Sequence, residues 1–76
     1  MGGVIMYNYI LDKHNKRVFE FEGELSNENS IILKSMGIKY SPVFPYDAAG
    51  YEDPYSFMED YEIIKVNANN FLLEVE

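Results

Sequence analysis

His14 is the single histidine in a chain of 76 residues that has no cysteine, so nucleophilic or general-base chemistry has little to build on. A catalytic or metal-binding imidazole needs a carboxylate or further ligands aimed at it. Asp12 is near in sequence, but Lys13 and Lys16 compete for it, and His14 reads as a solvated turn residue. No glycine-rich phosphate cradle is present; Gly2-Gly3 stands alone near the start. The acids offer more. Asp47 to Asp53 lacks the alternating ligand spacing of a calcium loop, while Glu59, Asp60 and Glu62 could hold a divalent ion weakly. A pair of carboxylates could serve glycoside hydrolysis, yet so short a chain has little cleft for a sugar. The expectation is a protein that is not an enzyme, with no catalytic residue, no metal site and no cofactor.

What the acids do supply is a surface. Between Lys39 and Lys65 there is no basic residue, and six acids fall there: Asp47, Glu52, Asp53, Glu59, Asp60 and Glu62. They are interleaved with Phe44, Tyr46, Tyr51, Tyr55, Phe57 and Tyr61. The other positions hold seven acids against six bases, so nearly all of the net charge of −7 comes from this stretch. The bland explanation is a core of rings under a solvated face, and Phe57 with Tyr61 at helical spacing fits it. That explanation does not account for the missing bases, because solvated faces usually mix both signs. Tyrosine also supplies rigid area with a polar tip, a common anchor at protein interfaces.

The functional expectation is therefore an ordered, outward-facing patch that meets a basic, Lys/Arg-rich protein. Its contact residues would be Tyr46, Asp47, Tyr51, Glu52, Asp53, Tyr55, Glu59 and Asp60, with Tyr46, Tyr51 and Tyr55 as exposed rings. Nucleic-acid-binding proteins space Lys and Arg to neutralise phosphates; carboxylates can satisfy those groups while rings stack where bases would. In composition the chain resembles small phage-encoded DNA mimics, anti-CRISPR and anti-restriction proteins, and the acidic immunity proteins and antitoxins that plug basic nucleases. That resemblance implies an inhibitor blocking a basic groove; no residue motif adds to it. A reading from another class is a self-associating scaffold domain, a homodimer paired through a sheet edge, although Glu20, Glu22 and Glu74 partly guard such edges. Direct binding to nucleic acid or to anionic membranes is disfavoured by like charge.

The elements that must position these residues fit one domain, 1–76. At this length about 60% of the unfolded chain's surface can be buried. An apolar content of 47%, with 16% aromatic residues, opposes disorder. Lack of cysteine in so small a domain leans towards a reducing, cytoplasmic setting. Val4–Leu11 has no basic lead-in or cleavage site and falls far short of the ~20 residues that span a bilayer.

Periodicity predicts a hairpin of Val4–Leu11 and Arg17–Glu22 around a polar turn, Asp12–Lys16. The second strand alternates, with Phe19 and Phe21 on one face against Val18, Glu20 and Glu22. The first is apolar on both faces, which suits a central strand or one covered on both sides. A helix is expected from an N-cap at Ser26 to about Met36, with Ile32, Leu33 and Met36 facing the core and Gly37 ending it. Lys39–Tyr46 should be extended around Pro42 and Pro45. Asp53-Pro54 opens a short helix over Pro54–Asp60. A second hairpin, Ile63–Val66 and Phe71–Val75, closes the chain around Asn67–Asn70. The resulting fold class is α+β: a small antiparallel sheet of two hairpins with one helix packed on a face and a short second helix, in the order β-β-α-(α)-β-β.

Overall fold

The computed structural model describes residues 6–68. Their elements are β1 (Tyr7–Asp12), β2 (Arg17–Glu22), α1 (Asn27–Ser35), α2 (Pro54–Asp60) and β3 (Glu62–Lys65). β1 and β2 form the expected antiparallel hairpin, running from Tyr7 opposite Glu22 to Asp12 opposite Arg17. Asp12 closes its turn, accepting from Arg17 Nε at 2.7 Å and from Asn15 Nδ2 at 3.0 Å. Burial disfavours the Asp12 charge, but these donors hold its carboxyl below the usual range.

The rest of the sheet departs from expectation. β3 pairs with β2 in parallel, Arg17 opposite Glu62 and Glu20 opposite Lys65, so the sheet is mixed and not antiparallel. Its order is β1-β2-β3, which makes β2 the central strand and puts β1 at an edge. Parallel neighbours cannot be joined by a tight turn. The chain between Glu22 and Glu62, with both helices, is the crossover that joins them. The second arm of the closing hairpin, Phe71–Val75, lies outside the described residues.

That crossover visits both faces of the sheet. α1 covers the face carrying Ile10, Phe19 and Phe21, which are buried with Leu25 and Leu33 in one cluster. The chain then rounds the outer edge of β1. There the Tyr9 N–H donates to the Ser41 carbonyl at 2.9 Å and the Ser41 N–H donates back at 3.1 Å. Tyr40 still meets Phe21 on the α1 side, centroids 5.5 Å apart, whereas Phe44 meets Tyr9 on the other side at 5.3 Å. A second cluster forms there from Val18, Phe57 and Tyr61, with Tyr9, Leu11, Phe44, Tyr46, Ala49 and Tyr51 against it. β1 is thus apolar on both faces because a layer covers each of them, although it is not central. Val18, expected on a half-exposed face, is fully buried for the same reason.

α1 is set by its ends. Ser26 Oγ accepts from the Asn29 N–H at 3.2 Å. At the other end Gly37 takes a φ of 74°. The Gly37 N–H reaches the Lys34 carbonyl and the Ile38 N–H the Leu33 carbonyl, both at 3.0 Å, a Schellman arrangement that also brings Ile38 onto Leu33. The buried face is narrower than expected. Asn29 and Leu33 are the helix residues buried, while Ile32 and Met36 are exposed, because this short helix turns a single i, i+4 stripe inward. Asn29 tolerates burial by donating from Nδ2 to the Ala68 carbonyl at 3.2 Å.

Candidate functional site

The second layer holds the acid-rich stretch, and the two features are built by the same residues. Asp53, in extended backbone, caps α2 by accepting from the Ser56 N–H at 2.9 Å and from Ser56 Oγ at 3.1 Å. Pro54 supplies a preset first helical residue. The amide and hydroxyl of Ser56 stabilise the charged form, so the Asp53 carboxyl sits below its ordinary pKa.

Seven residues are too few for a helix to be stable alone. Rings hold this one down. Phe57, fully buried, stacks on Tyr61 with centroids 4.4 Å apart and takes edge contacts from Phe44 and Tyr51, each at 5.4 Å. Tyr51 is fixed further by donating its phenolic proton to Asp60 Oδ2 at 2.7 Å. That bond favours the neutral phenol and pushes the Tyr51 pKa up to about 12. Tyr9, beneath the layer, is also raised, first by burial and then by the charge of Glu20.

With this frame in place, all six carboxylates of the stretch are exposed. Among the described residues the one ion pair is Arg17–Asp12, so none of these six is ion-paired there. They differ in their partners: Asp53 and Asp60 are engaged by Ser56 and Tyr51, whereas Asp47, Glu52 and Glu59 make no side-chain hydrogen bond among the described residues. The rings also divide. Tyr55 is 74% exposed, while Tyr46 and Tyr51, expected to be exposed, are half-buried against the Phe57 cluster. Both pack against the Val18, Phe57 and Tyr61 cluster, so only part of each is open to a partner.

Two residues escaped the sequence reading. Met58, 43% exposed, stands three positions after Tyr55 on α2 and extends its apolar surface. Counting helical positions away from Phe57 would have found it. Lys16 lies outside the base-free stretch in sequence, yet its Nζ sits 5.1 Å from the Tyr61 ring centroid, so the fold carries a cation to the layer. No local signal in the sequence could have placed it there. Among the described residues no three acids, histidines or cysteines gather to hold a metal ion, and no helix is long and apolar enough to cross a membrane. No family model, curated protein or solved structure matches the chain.

Proposed function

We propose that the α2 layer is a docking face for a basic, nucleic-acid-handling protein and that the chain inhibits that partner by filling its Lys/Arg-lined groove. The observation that supports this most is the set of exposed acids in the stretch, none of them ion-paired among the described residues. Such a field attracts a basic partner and raises the rate of encounter. Asp53 and Asp60 are held by Ser56 and Tyr51 and would meet the partner in fixed positions, which reduces the ordering cost of binding. Asp47, Glu52 and Glu59 can adjust to its cations. Tyr55 and Met58 supply an exposed apolar anchor on the same helix.

The edge-paired scaffold reading has less to work with. The Tyr9–Ser41 bridge already occupies hydrogen-bonding groups on the outer edge of β1.

The test uses Asp47→Lys, Glu52→Lys and Glu59→Lys together, leaving the α2 cap and the Tyr51 bond intact. The parent chain and this variant serve as paired baits in a nuclease-treated cell lysate, with captured proteins identified by mass spectrometry. The parent is expected to retain a nucleic-acid-binding protein that an added oligonucleotide displaces, and the folded variant to lose it. Equal capture by both baits, or capture that the oligonucleotide does not disturb, rejects the proposal.

A further inference from the structure

On the α1 side of the sheet, Leu33, Ile38 and Tyr40 line an open groove of about 400 Å³, and Lys34 and Lys39 stand among its walls. Leu33 is buried, Ile38 and Tyr40 are half-buried, and both lysines are exposed. Ile31, 60% exposed and one turn before Lys34, extends the apolar surface. This is an apolar trough with cationic walls, and its counterpart lies on and beside α2. Tyr55 projects from α2 with Glu59 one turn after it and Glu52 just before the helix, all three exposed. An aromatic body flanked by two carboxylates matches a hydrophobic trough flanked by two ammonium groups.

We infer that this groove receives the Tyr55 surface of a second copy of the chain, so that copies join head to tail. The groove lies on one face of the sheet and Tyr55 on the layer covering the other, so one molecule presents both halves of the contact. A contact between unlike surfaces is heterologous and leaves one groove and one knob open at the ends, so growth continues unless a ring closes. The net charge of −7 on each copy opposes approach once two copies come within the Debye length, about 10 Å at 0.1 M salt, and is screened beyond it. The association is therefore weak and builds with concentration. It shares the Tyr55 surface with the docking role proposed above and would compete with it, because a stacked copy covers its neighbour's carboxylates.

Charge exchange tests it. Sedimentation velocity over a concentration series at physiological salt should show the parent passing from monomer to larger species. Lys34→Glu with Lys39→Glu, and separately Glu52→Lys with Glu59→Lys, should each weaken this by roughly tenfold or more, since like charges then face each other. An equimolar mixture of the two variants should regain the parent's behaviour, which a misfolded variant could not do. A parent that stays monomeric at millimolar concentration overturns the inference. So does assembly that survives both reversals, or a mixture that regains nothing. The Lys34→Glu, Lys39→Glu chain keeps its acid layer, so it should still capture the basic partner in the lysate experiment. Loss of self-association and loss of partner binding are thereby read separately.

Discussion

The two layers on either side of the sheet use different means to reach the same end. Against α1 the core is largely aliphatic and phenylalanine, and the helix is fixed at both ends by a serine cap and a Schellman turn. Against α2 the core is aromatic, centred on Phe57, and the helix is two residues shorter. The outward chemistry is opposite too: lysines beside the α1 groove, carboxylates around α2. The contrast teaches that a small domain can separate charge by covering both faces of one sheet, in a molecule whose shortest extent is 16 Å. It also concentrates risk, because the rings of the acid-bearing layer converge on one buried residue, Phe57.

The sharpest way to break the comparison is to empty each core in turn. Phe57→Ala should cost about 3–5 kcal/mol and Leu33→Ala about 2–5 kcal/mol, read by urea denaturation. For a domain of this size either loss is a large fraction of the total stability. Because β2 lends residues to both clusters, each variant is expected to unfold in one transition by every probe. Two separated transitions in the Phe57 variant would show instead that the layers melt independently.

Capping gives a smaller effect. Ser26→Ala should cost about 1 kcal/mol. Asp53→Ala should lower the melting temperature as well, and with a pH dependence that the serine variant lacks. The Asp53 pKa is depressed in the folded chain, so its stabilisation is present above the unfolded value of about 3.9 and is lost as acid takes the pH through the folded value. Parent and Asp53→Ala melting temperatures should converge there.

The smallest effect is spectroscopic. Tyr51 is raised to about 12, so its bond to Asp60 stabilises the fold below the unfolded phenol value of about 10 and is lost as pH rises through the folded one. Phenolate absorbance should show one late-titrating tyrosine that Asp60→Asn returns towards the ordinary range. An unchanged titration in that variant would remove the bond from the account.

Much of this architecture was legible because the signals are local. Ser26, Gly37 and the Asp53-Pro54 pair act within a turn of themselves, and the structure places α1 between the first two and starts α2 at the third. Alternation in Arg17–Glu22 and the polar turn before it were enough for the first hairpin. The direction of β3 was not legible. Ile63 and Ile64 read as strand under either pairing, and what decides is a backbone ladder to residues more than forty positions earlier. The site divides in the same way. Exposure of the acids follows from the cost of burying charge. Tyr46 and Tyr51 were expected to be exposed and are half-buried, since a tyrosine serves equally as core or anchor until its neighbours are known; here they are the Val18, Phe57 and Tyr61 cluster. The both-face apolarity of β1 was seen, but its cause, a chain that wraps the strand's edge at Ser41, is not written in any short window.

Because β3 runs alongside β2, everything from Gly23 to Tyr61 is an insertion whose two ends are anchored on adjoining strands. The acid layer is a cassette, not an appendage. Its exposed loops can change length while the ladder beneath keeps its alignment, whereas Leu25, Leu33, Phe57 and Tyr61 are held by the two cores. Cut out as a free peptide, the same residues would lose the floor of Val18, Tyr9 and Leu11 that now holds them in place.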